Sequence, residues 1–182
     1  MGKTLNEGGR EVRLKALESV AEQIRRLYGD RVEITHPILK GRELDVATAA
    51  LSNFGEHRDT CIGEYFFKPV PGDPDGGQYF ISLITLRNDV PIQQVPELAF
   101  ALSMTNFYIE TGCFALDKPT ELLVYRGTRT FSGDTPEEVL IRECVLKMEE
   151  AYNIASKYAT PVLALAEGSM KLMEFLELLK TE

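Results

Sequence analysis

Residues 98–109 contain no Asp, Glu, Lys or Arg, and Pro91 and Pro96 bracket the start of this stretch while Gly112 closes it. The spacing predicts one helix without a charged face. A surface helix normally carries one apolar stripe and one polar face, so this helix must be covered on more than one side. Leu98, Leu102, Thr105 and Ile109 share one side, expected to pack on a sheet; Phe100, Met104, Phe107 and Tyr108 surround the rest. Two coverings of that second side stand open: another copy of the chain, or the chain's own C-terminal helices. Methionines and aromatics suit contacts between copies. Phe100, Met104, Phe107, Tyr108 and the nearby Phe114 are therefore the candidate dimer or partner surface.

The flanking sequence places this helix in an α+β frame. Leu14, Leu17, Ala21, Ile24 and Tyr28 recur at helical spacing over residues 11–28, and Gly29 is placed to cap that helix. Val32, Ile34, His36 and Ile38 alternate as a strand, and Lys40-Gly41 offers a turn into a strand over residues 43–51. Ser52-Asn53-Phe54-Gly55 reads as a second turn, into a strand over residues 59–68. Residues 69–77, rich in Pro and Gly, read as a loop. The strand over residues 78–86 has Tyr79, Ile81 and Leu83 on one side and Phe80 and Ile84 on the other, which suits a central position. After the uncharged helix, residues 113–116 and 122–126 read as a short hairpin. Thr135-Pro136-Glu137-Glu138 reads as a helix start, with Thr135 as the cap and Glu138 completing a capping box. Ile141, Cys144, Val145, Met148, Tyr152, Ala155 and Tyr158 carry that helix to Thr160-Pro161, where it is expected to end and a last helix to begin, reaching about residue 180. The order α-β-β-β-β-α-β-β-α-α, with strands following one another directly, implies an antiparallel sheet of about five to six strands packed against helices. One domain over residues 1–182 is expected, with a core over 11–160 and an additional helix over 161–180.

Few constellations suggest chemistry. His57 and Cys61 lie four apart on a turn and strand, too far apart to share a metal and too few for a zinc site. His36 reads as a half-buried strand residue, and with two histidines in the chain no catalytic triad is supported. Asp73-Pro74-Asp75-Gly76-Gly77 resembles the opening of a calcium loop, but Ile84 stands at the twelfth position where Glu is required. Cys113 follows a helix C-terminus, where no thiolate activation is expected. Glu137-Glu138 and Glu149-Glu150 are adjacent pairs that diverge on a helix and read as solvated faces. Tyr65, Tyr79, Tyr125 and Arg126 are the residues that a pocket between sheet and helices would use to hold an anion. No catalytic residue, cofactor or metal is expected.

The order of an Asn-containing apolar helix, Gly112-Cys113-Phe114-Ala115-Leu116-Asp117, the strand Leu122-Leu123-Val124-Tyr125-Arg126, the Thr-Pro-Glu-Glu start and a long amphipathic helix resembles the type III secretion chaperone-like superfamily, in particular its YbjN-like bacterial proteins. The resemblance covers about residues 96–158. It implies a compact α+β fold, often homodimeric, that binds another polypeptide and catalyses nothing. The helix after Pro161 and the longer strand region before the central helix depart from that pattern.

Composition narrows the partners. Twenty Lys and Arg against 28 Asp and Glu give a net charge of −8, which opposes binding to nucleic acid phosphates and anionic membranes. No uninterrupted apolar run approaches a membrane span of roughly 18–20 residues, the first residues lack an apolar signal core, and Asn6 stands where myristoylation expects Ser or Thr. Three widely spaced cysteines form no disulfide framework and suit a reducing cytoplasm. The expected function is a homodimeric, non-catalytic protein-binding module; the alternative is a small-molecule sensor or enzyme.

Overall fold

In the computed structural model, which describes residues 3–29, 31–39, 41–117 and 121–180, Thr4 opens the first helix, α1 (Leu5–Tyr28). Its hydroxyl accepts the N–H of Glu7 at 3.3 Å, and the Glu7 carboxylate accepts the N–H of Thr4 at 2.9 Å. This reciprocal capping box satisfies two otherwise orphan donors and starts the helix well before residue 11. The backbone leaves helical geometry at Gly9, downstream of the cap. Val12, Ala16, Leu17, Val20, Ala21 and Ile24 form the buried stripe, while Leu14 is only half-buried. Gly29 ends the helix in the left-handed conformation.

Strands β1 (Arg31–Thr35), β4 (Val46–Phe54), β5 (Asp59–Pro69) and β6 (Gln78–Arg87) precede helix α2 (Val95–Tyr108); β7 (Cys113–Asp117) and β8 (Leu122–Phe131) follow it. Between β1 and β4 lies a separate small hairpin, β2 (Ile38–Leu39) with β3 (Arg42–Glu43). Residues 32–38 are thus not one strand: Pro37, which cannot donate a ladder hydrogen bond, ends the alternation at Thr35. Lys40, half of the expected turn, lies outside the described residues.

The six long strands form one antiparallel sheet in the order β1-β4-β5-β6-β8-β7. Strand β6 is interior, as its apolar residues on both sides require. Helix α1 packs on β1 and β4, the next helix α3 (Glu137–Glu167) packs on β6 and β8, and α1 and α3 lie side by side. Tyr28 of α1 stacks on Tyr152 of α3 at 3.8 Å between ring centroids, with Phe54 of β4 edge-on to Tyr152. Ala47, Ala49, Leu51, Tyr65, Phe80, Ile84, Leu123 and Tyr125 fill the core beneath this helix layer. By strand alternation, Ile62, Arg126, Thr128 and Thr130 face the opposite way and are exposed.

Two expectations about α3 are corrected. Thr135 does not cap it: Pro136 occupies the cap position without a side-chain bond. Instead the chain start is zipped to this corner by backbone bonds, from Leu5 N to Thr135 O at 2.9 Å, Asn6 N to Gly133 O at 2.8 Å and Glu137 N to Lys3 O at 2.9 Å. Nor does Pro161 end the helix, which runs 31 residues to Glu167. An internal proline costs about 3 kcal/mol. Burial of Val162, Leu163, Leu165 and Ala166 offsets that, since a buried aliphatic side chain contributes roughly 1.5–3 kcal/mol. Two polar groups also tie this stretch to the β4–β5 turn: Thr160 Oγ1 accepts the N–H of Glu56 at 2.8 Å, and Ser156 Oγ accepts that of Gly55 at 3.1 Å. Gly168 terminates α3, and the final helix α4 (Leu172–Lys180) is consequently one short amphipathic segment. No helix of the described residues is long and apolar enough to cross a membrane.

Candidate functional site

Helix α2 starts where Pro96 occupies its first turn and is fixed to the sheet edge by Asn106. The Asn106 carboxamide acts as a strand substitute: its Nδ2 donates to Phe114 O at 2.9 Å, and its Oδ1 accepts the Phe114 N–H at 2.7 Å. Both free backbone groups of the edge strand at Phe114 are thereby satisfied. Leu98, Ala101, Leu102 and Thr105 are buried against the domain, with the Thr105 hydroxyl donating to Ala101 O at 2.9 Å. The side predicted to be buried is therefore largely the buried one.

Helices α3 and α4 both pack against α2. Phe107 nevertheless remains 82% exposed, and Phe100 and Tyr108 are each 51% exposed. Phe107 and Tyr108 meet edge to face at 5.5 Å. Met104 is half-buried. Phe114 sits elsewhere: only 2% exposed, it packs against Tyr125 and Tyr158 inside the domain. The exposed patch thus comprises three of the five candidate residues, Phe100, Phe107 and Tyr108, with Met104 half-buried beside them and Phe114 inside the domain.

The tyrosines expected to line one pocket are divided by the sheet. Tyr65 and Tyr125 are fully buried beneath the helices, whereas alternation places Tyr79 and Arg126 on the opposite face. A cavity of about 640 Å³ lies instead beside α1, beneath the β2–β3 hairpin, with Arg13, Leu17, Leu39, Leu44, Asp45 and Phe67 among its walls. At its rim Arg10 binds Glu43 through both terminal nitrogens at 2.9 Å and Asp45 at 2.6–3.2 Å. His36 Nδ1 lies 2.7 Å from Asp45 Oδ1. His36, Glu43 and Asp45 are close enough to share a cation, but the Arg10 guanidinium already occupies the position between them. His57 is exposed on its turn and Cys61 is buried in β5, so the two form no joint site.

Burial pushes the Asp45 carboxyl up, but hydrogen bonds from Arg10 and His36 outweigh it and hold the group below its ordinary 3.8. A carboxyl whose pKa is lowered on folding contributes stability above its unfolded value and loses it as pH falls through the folded one. Asp45→Asn is therefore expected to cost about 1 kcal/mol at neutral pH. The gap between the two proteins should close as the pH drops below about 4. Thermal melts of both proteins from neutral to acid pH check this; a gap constant across the range would remove Asp45 from the acid response.

A second polar cluster was not legible beforehand. Lys147 lies on the buried stripe of α3, where its ammonium donates to Glu150 at 2.8 Å and to Thr111 Oγ1 at 3.2 Å. The Tyr125 hydroxyl donates to Thr111 O at 2.7 Å. Room for the lysine stem comes from Gly127, where an added Cβ would lie 3.2 Å from Lys147 Cε. Its spacing from Cys144 and Ala151 was the available signal, yet a lysine at helical spacing ordinarily reads as solvated. No family model, curated protein or solved structure matches this chain.

Proposed function

We propose that this chain is a non-catalytic, chaperone-like protein-binding module that pairs with a second copy of itself through the outer face of α2. The observation that carries the reading is Phe107, 82% exposed on a helix face without charge from residue 98 to 109. Large exposed apolar residues grouped on one face mark interaction sites. In a chain of net charge −8, two copies repel where their acidic surfaces meet, and this neutral face is suited to a like-charged partner.

The face also has the reciprocity that a two-fold axis demands. In an antiparallel pair of α2 helices crossing between Ser103 and Met104, Phe100 lies opposite the partner's Phe107, and Phe107 opposite the partner's Phe100. Ala99 and Ser103, small and exposed, let the two backbones approach. Unpaired, buried Cys61 and Cys144 suit work in a reducing cytoplasm on a further polypeptide, as the resemblance to YbjN-like proteins implies.

Light scattering on the eluting protein tests the pairing. The wild type is expected at the mass of two chains and Phe107→Arg at the mass of one, with an unchanged far-ultraviolet spectrum. A monomeric wild type, or a folded Phe107→Arg that keeps the paired mass, sinks the reading.

A further inference from the structure

We propose that the cavity beneath the β2–β3 hairpin binds a small amphipathic carboxylate, its apolar body against Leu17, Leu39, Leu44 and Phe67 and its head group on Arg13. The inference is independent of pairing through α2. At about 640 Å³ the cavity has the size of a small-molecule site, roughly 300–1,000 Å³. Charge accounting then selects the ligand. Asp45 and Glu43 on the wall are both bound by Arg10, and Arg13 receives from them only the longer-range attraction of Asp45. Among the described residues Arg13 has no hydrogen bond or ion pair, although its side chain is half-buried and burial drives its pKa down. A half-buried guanidinium without an acceptor is costly, and an anion entering the cavity would relieve that cost.

Arg10, Arg13 and Lys68 against Glu43 and Asp45 leave one net positive charge at the cavity, which suits a monoanion and disfavours both a cation and a polyanion such as a phosphate monoester. A neutral apolar molecule would fill the walls and leave the guanidinium unpaired. A carboxylate with an apolar tail meets both requirements, and its two oxygens match the planar fork of arginine. The hairpin suits the role of a cover. Among the described residues its strands pair only with each other, Ile38 and Leu39 are largely exposed, and Arg10 ties Glu43 to α1.

Calorimetric titration at neutral pH with decanoate, and with decanamide as its uncharged counterpart, tests the proposal. One decanoate per chain is expected, with decanamide binding at least tenfold more weakly. Arg13→Gln should weaken decanoate at least tenfold and leave decanamide unchanged. Leu39→Glu, on the exposed hairpin, should weaken both in a protein whose far-ultraviolet spectrum is unchanged. Phe107→Arg should bind decanoate as the wild type does, so failure of the pairing leaves this result readable. Absence of saturable decanoate binding, equal binding of the two head groups, wild-type affinity in folded Arg13→Gln or in Leu39→Glu, or loss of binding in Phe107→Arg each overturns the site.

Discussion

Gly133→Ala is expected to destabilise the fold by about 3 kcal/mol, combining overpacking with a lost hydrogen bond. A Cβ at this buried position would lie 1.8 Å from the backbone oxygen of Asp75 and 2.2 Å from Asn6 Nδ2. Neither neighbour is free to withdraw. Asn6 Nδ2 donates to Asp75 O at 2.8 Å, and Asn6 N donates to Gly133 O at 2.8 Å. The loop that carries Asp75 is itself held, because the Asp73 carboxylate accepts the N–H groups of Asp75 and Gly77 at 2.9 and 3.0 Å. The methyl group therefore forces apart the start of α1, the β5–β6 loop and the approach to α3, which together set the two long helices side by side. In a domain of this size each kcal/mol moves the melting temperature by roughly 2–4 °C, so a fall of about 6–12 °C is expected. Asn6→Ala, which removes the side-chain bond without a clash, should cost about 1 kcal/mol. Equal melting temperatures for Gly133→Ala and the wild type would show that the corner is slack.

Gly112→Ala is expected to cost a similar amount for two separable reasons. Gly112 has φ +76°, where a side chain adds roughly 1–2 kcal/mol of strain. Its Cβ would also lie 2.3 Å from Tyr125 Oη, 2.7 Å from Tyr125 Cζ and 2.8 Å from the backbone oxygen of Arg126. Tyr125 is fully buried and its hydroxyl donates to Thr111 O; burial pushes that hydroxyl up to about 12. The ring has no room to retreat, so the clash adds about 1–3 kcal/mol. Repeating the substitution in a Tyr125→Phe background separates the two, because removing the oxygen relieves part of the clash and none of the backbone strain. Urea unfolding of the four proteins should show Gly112→Ala costing less beside Phe than beside Tyr. Identical costs would mean that strain alone is at work.

Those glycines mark where local reading succeeded and where it stopped. Helix α2 stops at Tyr108 with Ile109 as its cap, three residues before the expected Gly112, whereas Gly29 was legible as the end of α1, because helix termination is decided by a few adjacent residues. The same holds for the strand alternation of residues 78–86 and for the buried side of α2. Gly133 carried no such signal. Its importance comes from Asp75 and Asn6, which are 58 and 127 residues away along the chain. The candidate surface divided in the same way. Phe100, Phe107 and Tyr108 could be placed on one side of a helix by spacing, whereas Phe114 entered the core because Tyr125 and Tyr158 close over it.

Proline and polar residues gave the sharpest departures. Pro161 predicts a helix end by its missing N–H, yet the apolar residues after it bury enough surface to carry α3 onward. Only packing shows Arg10 and Lys147 in polar clusters and Arg13 facing a cavity.

By itself the sequence determined the α+β class, the succession of most elements and the existence of one helix that its own polar residues could not cover. Those follow from periodicity and capping, which act within a few residues. The tertiary structure alone decided the order β1-β4-β5-β6-β8-β7, the placement of the long helices together and the space left beneath the hairpin. Such features depend on complementarity between segments far apart in the chain, and a local pattern compatible with several pairings does not choose among them.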